Sequence, residues 1–358
     1  MTSLFARGAR RLSLGHIQHL AAVPPPGSGA VAAVYRQMEN EFGMLAPPVA
    51  LHAAAPEVLE AVWLILRETL LAGDPGERAG KEAMAAAVSF ANSCPYCVEV
   101  HGAALIGSRP GGDAELIAAG RIGEVRDAGL RSTAGWGRDG VAPAGLDPRR
   151  SAVLTGVGLI FHYLNRMVNV FLLDSPLAPI PPRGRVAGRR VAIRVMGRFA
   201  RAVVPAGAAA VHLPPRALPP DLAWSSPVAT VADAVARGCG AIAGAGERVV
   251  PAGVRALLAE RLADPAESGP GLDIHGWLAG ATRGLPADEI PAARLALLVA
   301  YASYRVTGEH VAAYRAAVGG DGGDDGVVRF AGWAAMAAAR SAAAAMAVPG
   351  DENGVRNR

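Results

Sequence analysis

GKEAMAAAVSFANSCPYCVEVHGAAL, residues 80–105, contains two of the three cysteines in the chain, and a histidine follows the second of them. If the second half of this stretch is helical, Cys94, Cys97 and His101 fall on one stripe of the helix surface. The Asn-Ser pair before Cys94 can cap that helix, and Pro95 suits its first turn. The stretch therefore predicts three reactive side chains in line at the start of a helix.

Thiols at a helix start favour redox or metal chemistry. The free backbone N–H groups and the helix dipole stabilise a thiolate there, so we expect a thiol pKa well below the usual value of about 8.5. His101 lies one turn deeper and can take up or supply the proton. The spacing also allows Cys94 and Cys97 to form a disulfide without movement of the chain.

Glu82 precedes Cys94 by twelve residues and opens the preceding helix. An acid in the first turn of a helix is stabilised by the helix dipole, which is a purely structural interpretation. A carboxylate close to the thiols and His101 would instead take part in proton transfer. The residues alone leave both interpretations open.

The composition predicts an all-α fold. The chain has 358 residues, of which 51% are hydrophobic and only 5% aromatic, and no stretch alternates as a strand does. Its length fits two domains of moderate size. Nearly all basic residues are arginines spread along the chain, so the high isoelectric point predicts no nucleic-acid partner.

The cysteine content and the hydropathy pattern predict a cytoplasmic protein with no membrane partner. Three cysteines are too few for a disulfide framework, and no secretory signal is evident at the start. The longest apolar run, residues 151–173, contains His162 and Arg166. Placing that arginine near a bilayer centre would cost about 2.5–3.5 kcal/mol, so we predict a buried helix. His162 is then expected to be a core histidine, with a place in the thiol pocket as the alternative.

Proline-rich and glycine-rich stretches divide the chain into four segments. We predict an N-terminal arm over residues 1–29 and a helical domain with the cysteine pair over residues 30–175. A proline- and arginine-rich linker is predicted over residues 176–224, and a second helical domain over residues 225–348.

The linker contains a helix-compatible stretch, residues 185–204, with several arginines on one face. Such a face can bind a polyanion or a membrane surface. A solvated face or a salt-bridged linker helix is the commoner outcome, and we favour that interpretation.

Glu82, Cys94, Cys97 and His101 follow the pattern E-x11-C-x2-C-x3-H. This pattern resembles the signature of the AhpD-like alkylhydroperoxidase family, within the carboxymuconolactone decarboxylase superfamily. The four-residue signature is specific, and further similarity covers roughly residues 30–175. The resemblance implies an AhpD-like helical bundle.

The resemblance also implies a mechanism and partners. Cys97 would be the peroxidatic cysteine that attacks a hydroperoxide, Cys94 would resolve the sulfenic acid as a disulfide, and Glu82 with His101 would relay protons. The implied reductant is a dithiol such as a dihydrolipoyl protein, no haem, flavin or metal is implied, and a homo-oligomer is expected. Decarboxylation, as in the superfamily's namesake, is disfavoured because the cysteine pair implies redox work.

Residues 294–320 can be laid over residues 85–111 with a constant offset that puts His310 on His101. The same offset puts Ser303 at the position of the first cysteine. This predicts that the bundle is duplicated within the chain, with a degenerate second repeat that lacks the thiols. The second repeat would complete the packing that separate subunits supply in single-domain relatives, in a smaller oligomer.

Two other functions stay open from the sequence. Cys94, Cys97, His101 and Glu82 could bind zinc, although structural zinc sites usually draw a second ligand pair from a distant loop. Cys239 has no Cys or His neighbour and is predicted to be a small buried residue. The other alternative is a non-catalytic redox-sensing or scaffold protein with the same fold.

Overall fold

The computed structural model describes residues 4–264, 267 and 269–347. Within these residues the secondary structure is helical, and the only β pairing is a pair of isolated antiparallel bridges, Ile17 with Leu172 and Gly73 with Val204. The predicted all-α fold is therefore confirmed. The first three residues of the predicted arm and positions 265, 266, 268 and 348 of the predicted second domain lie outside the described residues.

The first part of the chain forms the helices that surround the cysteine pair. They are α1 (Leu4–Leu14), α2 (Gly29–Glu41), α3 (Pro47–Ala50), α4 (Pro56–Leu66), α5 (Arg78–Ala91), α6 (Pro95–Ser108), α7 (Gly112–Ala118), α8 (Ala128–Asp139), α9 (Pro148–Phe171) and α10 (Arg185–Ala200). A π-helical turn, Arg67–Leu71, continues α4.

The rest of the described chain forms six more α-helices, and the last of them packs along α9. They are α11 (Ala229–Glu247), α12 (Ala252–Ala263), α13 (Ile274–Ala281), α14 (Ile290–Tyr301), α15 (Gly308–Val318) and α16 (Asp324–Met346).

Several helix ends follow the local sequence. The side chains of Asp127, Asp147 and Asp273 accept hydrogen bonds from backbone N–H groups in the first turns of α8, α9 and α13. Gly140 ends α8 in the left-handed conformation, with φ +71°, which glycine adopts without steric cost. These signals place the loops on either side of α8 and α9.

Helix α9 lies at the centre of the fold, packed against both α5 and α16. Its small residues permit this close packing, since a Cβ atom added to Gly158 would lie 2.5 Å from Met346 Cε. Sixteen of its residues are buried, which confirms the buried helix that the apolar run predicts. No helix in the described part of the chain has the length and apolar character needed to cross a bilayer.

Helices from both predicted domains share one hydrophobic core. Besides the contact between α9 and α16, α4 packs on α11. The largest cluster of buried apolar side chains extends from Val31 to Met346. The boundaries at 30, 176 and 225 stay a prediction.

The predicted N-terminal arm lies against the cysteine segment. The Gln18 N–H donates to the Phe171 carbonyl (2.8 Å), and the Leu173 N–H donates to the His16 carbonyl (3.1 Å). The His16 ring is buried and meets the Tyr96 ring edge-on, with centroids 5.8 Å apart. Because Tyr96 stands between the two cysteines, the arm covers one side of the site.

The arginine-rich segment of the predicted linker forms α10, which packs across α6. The two backbones meet at Gly107 and Gly197. A Cβ added to Gly107 would lie 2.3 Å from the Ile193 carbonyl oxygen, and one added to Gly197 would lie 2.4 Å from the Gly107 carbonyl oxygen. This approach requires glycine at both positions, and it holds α10 against the helix that carries Cys97.

Candidate active site

The turn between α5 and α6 positions both cysteines. Ser93 takes a left-handed conformation, with φ +52°, and the Cys94 N–H donates to the Ser89 carbonyl (3.0 Å). The N-cap of α6 is Cys94, with Pro95 in the first turn, and no side chain caps the helix. The expectation that the preceding Asn or Ser is the cap is wrong, because the left-handed turn at Ser93 starts the helix one residue later.

Glu82, His101 and Arg78 form a buried chain of hydrogen bonds. Arg78 Nε donates to Glu82 Oε1 and His101 Nδ1 donates to Glu82 Oε2, both at 2.7 Å. Burial alone would raise the pKa of Glu82, but Arg78 and His101 together outweigh it and hold that pKa below its usual value. Glu82 is therefore an ionised carboxylate that lies next to the predicted histidine.

The orientation of His101 is fixed from two sides. Its Nδ1–H donates a hydrogen bond to Glu82, so Nε2 is the nitrogen of the neutral ring that can accept a proton. The Phe161 ring meets it edge-on, with centroids 4.4 Å apart. His101 can therefore accept a proton at one defined nitrogen, one helical turn from Cys97.

Both cysteines are buried free thiols. Burial raises the pKa of Cys97 well above its usual value, and a hydrogen bond with Cys94 raises it further. The expectation of a lowered pKa is wrong for Cys97, because the apolar core disfavours the thiolate more than the helix start can stabilise it.

Asn165 of α9 is a site residue that the sequence analysis did not select. Its side chain is completely buried and hydrogen-bonds to Cys97, which lowers the thiol pKa and partly opposes the effect of burial. Its Nδ2 also donates to Ser89 Oγ (3.0 Å), and its Oδ1 accepts from Asn92 Nδ2 (2.9 Å). The signal that could have identified Asn165 is its polar amide in the middle of the apolar run of residues 151–173.

Arg78 was missed as well. Its spacing of four residues from Glu82 is the signal that could have identified it, since such residues face each other on a helix.

His162 lies near the thiols without contacting them in the described structure. Its Nδ1 accepts from Asn92 Nδ2 (3.1 Å), which bonds in turn to Asn165. Burial and the nearby Arg166 lower the pKa of His162 to about 3, so the ring is neutral. It is a hydrogen-bonded core histidine at the edge of the thiol site.

The second half reaches the site through polar contacts of α9. Arg166 Nε donates to the Ala300 carbonyl (3.0 Å), and Asn169 Nδ2 donates to Ser303 Oγ (3.0 Å). His310 forms a capping box with Thr307 at the start of α15. In the described part of the chain, Ser303 and His310 have no hydrogen bond to a thiol. The proposed duplication stays a prediction.

Two openings adjoin the cysteine helix. A cleft of about 600 Å³ is lined by Phe90, Ser93, Cys94 and Arg189 among others. A separate cavity of about 430 Å³ is lined by His101 and mostly apolar side chains. Cys94 and His101 therefore face different openings. A larger cleft of about 710 Å³, around residues 109–130, contains none of the four predicted site residues.

A zinc site would need free ligands, and these side chains have other partners. No three His, Cys, Asp or Glu residues in the described ranges are grouped as metal ligands. Cys239 is buried, as predicted, with its sulfur 3.6 Å from Met336 Sδ, and burial raises its pKa to about 12.

The fold and the site define a class: helical proteins with two buried free thiols and a buried glutamate–histidine pair. A protein named alkyl hydroperoxide reductase Rv2159c, from Mycobacterium tuberculosis, is 35% identical to this chain over 330 residues, which are 91% of this chain and 93% of the relative. The chain belongs to the AhpD-like alkylhydroperoxidase family, as its signature predicts. No family model matches the sequence, and no solved structure matches it.

Proposed function

We propose that the protein reduces alkyl hydroperoxides through Cys97 and Cys94, with a dithiol as the electron source. The observation that carries the proposal is the buried contact between His101 Nδ1 and Glu82 Oε2, 2.7 Å, one turn from Cys97. A thiol next to a base that a third group orients is the arrangement of an activated nucleophile. The name of the mycobacterial relative supports the same reaction class.

In the first step, His101 Nε2 takes the proton of Cys97. A base is needed here because the pKa of that thiol is raised, so little thiolate forms without one. The sulfur attacks the terminal oxygen of R–O–O–H, and the O–O bond breaks. Cys97 is oxidised to a sulfenic acid, and the alkoxide leaves as an alcohol after it receives the proton from His101.

In the second step, the Cys94 sulfur attacks the Cys97 sulfenic acid, a disulfide forms and water leaves. An external dithiol then reduces this disulfide by thiol exchange and becomes a disulfide itself. The cleft beside Cys94 is the proposed approach for the dithiol. Because Cys94 is buried, the exchange requires a local opening of the α5–α6 turn.

A redox-sensing role is the second candidate. Cys94 and Cys97 are free thiols in hydrogen-bond contact, so one oxidation can join them as a disulfide that signals an oxidant to a partner. The burial and raised pKa of Cys97 count against this role, because sensor thiols are exposed and have low pKa values. Sustained turnover with a dithiol separates the two functions, because a sensor is oxidised stoichiometrically.

We also propose a homo-oligomer in the cytoplasm, where a reducing environment keeps the pair available as thiols. If the second half of the chain supplies the packing that a separate subunit supplies in single-domain relatives, the native oligomer should contain fewer chains than theirs. A trimer or hexamer of full-length chains by native mass spectrometry would contradict that replacement.

The proposed function is tested by the intact mass of the protein before and after one equivalent of tert-butyl hydroperoxide. We expect the loss of two hydrogens, a Cys94–Cys97 linkage by peptide mapping, and recovery of the thiols with dihydrolipoamide. Cys97→Ser should abolish turnover, and Cys94→Ser should accumulate a sulfenic acid or mixed disulfide.

Cys239→Ala is the matched control, because Cys239 is a buried thiol outside the site, and it should retain turnover. Normal multiple turnover by Cys97→Ser would overturn the proposed function. So would an unchanged mass with both thiols free or with a zinc ion retained.

A further inference from the structure

The cavity beside His101 has the dimensions and lining of a ligand site. Its volume is about 430 Å³, and most of its lining is apolar, with Phe161 and Leu164 from α9 and Val191 and Ala192 from α10. Ligand pockets in proteins have such volumes and are lined mainly by apolar side chains with few polar groups. The cavity can therefore hold an apolar group next to the relay histidine.

The apolar lining continues to the protein surface. Leu12, Met44 and Val191 line the cavity and are 53%, 37% and 53% exposed. Single exposed apolar side chains are normal on a protein surface, but a group of them around one cavity indicates a binding site. An apolar ligand that enters here would cover them.

Among the described residues that line the cavity, one charged side chain has no ion-pair or hydrogen-bond partner. Glu99 accepts a hydrogen bond from Ser175 Oγ (2.7 Å), and His101 is held by Glu82. Arg189 lines both the cavity and the cleft beside the cysteine pair, and it forms no ion pair with any described residue.

The other arginines of α10 are likewise exposed and without ion pairs in the described ranges, so the helix has a solvated face, which is one of the two outcomes that the sequence favoured. An exposed, unpaired guanidinium at the edge of an apolar cavity is suited to an anionic group on an apolar ligand.

Building on the proposed function, we propose that the cavity binds the alkyl chain of a long-chain hydroperoxide with an acidic group, and that Arg189 binds that group. His101 lines the cavity, so a peroxide on a chain bound there lies next to His101, one helical turn from Cys97. Unsaturated fatty-acid hydroperoxides have this chemistry, as free acids or as acyl chains of anionic lipids.

The first test is the dependence of kcat/KM on chain length for straight-chain hydroperoxides. We expect a rise of about 3- to 4-fold for each added methylene until the cavity is filled. Ala192→Phe should lower the ratio of long-chain to tert-butyl kcat/KM at least tenfold. Ala187→Phe, on the exposed side of the same helix and outside the cavity, should leave this ratio unchanged.

The second test compares linoleate hydroperoxide with its methyl ester. A charge-assisted hydrogen bond predicts that the free acid is favoured by about 10- to 100-fold, and that Arg189→Gln removes the preference. Arg190→Gln is the matched control, since Arg190 is exposed and lines neither opening. Equal losses in both variants, or no preference in the wild type, would overturn the assignment of Arg189.

A binding measurement separates this inference from the proposed function. The Cys97→Ser protein should bind oleate, measured by displacement of a fluorescent fatty acid, and Ala192→Phe should abolish binding in that background. Turnover of tert-butyl hydroperoxide without oleate binding or chain-length dependence would refute the inference alone. Oleate binding without turnover of any hydroperoxide would refute the proposed function alone.

The source of the chain is tested with phosphatidylglycerol vesicles that contain lipid hydroperoxide. Faster turnover of the free acid identifies a soluble fatty acid as the ligand, and faster turnover in vesicles identifies a lipid surface. Failure with both substrates would contradict the inference.

Discussion

At the scale of the residue, two opposing effects set the pKa of Cys97. Burial disfavours its thiolate, and neighbouring polar groups stabilise it. Burial raises the pKa of Cys97, whereas the hydrogen bond from Asn165 lowers it. Glu82 keeps His101 ready to accept a proton on the nitrogen that is free of the carboxylate. The reactivity of Cys97 therefore depends on neighbours from α5 and α9 as well as on its own helix.

The pH dependence of Cys97 reactivity follows from its raised pKa. Below that pKa, only a small fraction of the thiol is ionised, and this fraction grows about tenfold per pH unit. We expect alkylation of Cys97 by iodoacetamide to accelerate by about that factor from pH 7 to pH 8, and to continue to rise above pH 9. A rate that reaches a plateau below pH 8 would contradict the burial effect.

Asn165 is expected to act as a positioning residue for the Cys97 thiolate. Asn165→Leu removes its N–H donor, and a hydrogen bond to a charged group contributes about 1.5–3 kcal/mol, so oxidation should slow roughly 10- to 100-fold. The apparent pKa of Cys97, measured by alkylation against pH, should rise. A merely structural role would leave this pKa unchanged.

Asn169→Leu is the matched control for Asn165, one turn further along α9. Asn169 bonds to Ser303 and to the Asn92 carbonyl, and no bond to Cys97 is present in the described structure. Its substitution should leave the pKa of Cys97 unchanged. An equal rise in both variants would assign the effect to a general disturbance of α9.

At the scale of the element, the crossing of α6 and α10 depends on glycine in both helices. The Gly107 and Gly197 backbones lie in direct contact, and the Arg201 side chain donates to the Gly107 carbonyl (2.6 Å). Gly43, with φ +81°, also leaves room for the Phe199 ring. The segment predicted as a linker is thus attached to the predicted catalytic domain at several points.

Gly197→Ala should destabilise the fold by about 1–3 kcal/mol, because the new methyl group meets backbone atoms that cannot rotate away. Urea unfolding gives the free energy of unfolding, and limited proteolysis reports whether α10 detaches. Gly135→Ala is the matched control, since it lies within α8 with no atom within 4 Å of the added Cβ. That control should be neutral or more stable.

At the scale of the whole molecule, one core joins the two predicted domains and encloses neutral histidines. His52 donates from Nδ1 to the Val49 carbonyl (3.1 Å) and accepts from the Tyr163 hydroxyl (2.9 Å). Burial lowers the pKa of His52 to about 4, so the folded protein stays unprotonated there at mildly acidic pH. The unfolded chain has no such protection.

Stability should therefore fall as the pH decreases from about 6.5 to about 4. In that range the unfolded chain binds a proton at His52 that the folded protein does not, and the loss is about 1.4 kcal/mol per pH unit. His52→Gln should flatten the dependence of the unfolding free energy on pH by this amount. An unchanged slope between pH 6 and pH 5 would show that His52 is not its source.

Some properties of this protein depend on residues that are close in sequence, and these could be predicted. Others depend on contacts between distant segments, and these required the folded structure. The helical class, the buried α9 and the family follow from composition, hydropathy and a signature that spans neighbouring turns, and these were confirmed. The lowered thiol pKa was wrong, since solvent exclusion at Cys97 comes from distant segments. The roles of Glu82, Cys94, Cys97 and His101 stay a proposal.

The sequence by itself determined that this chain is helical and that Cys97 and His101 lie one turn apart on one helix that begins at Cys94, because these properties depend on neighbouring residues. Only the tertiary structure decided that Arg78 and Glu82 orient His101, that Asn165 contacts Cys97, and that α10 lines an apolar cavity. Burial, proton affinity and ligand space depend on which distant segments exclude water, and local spacing does not encode that.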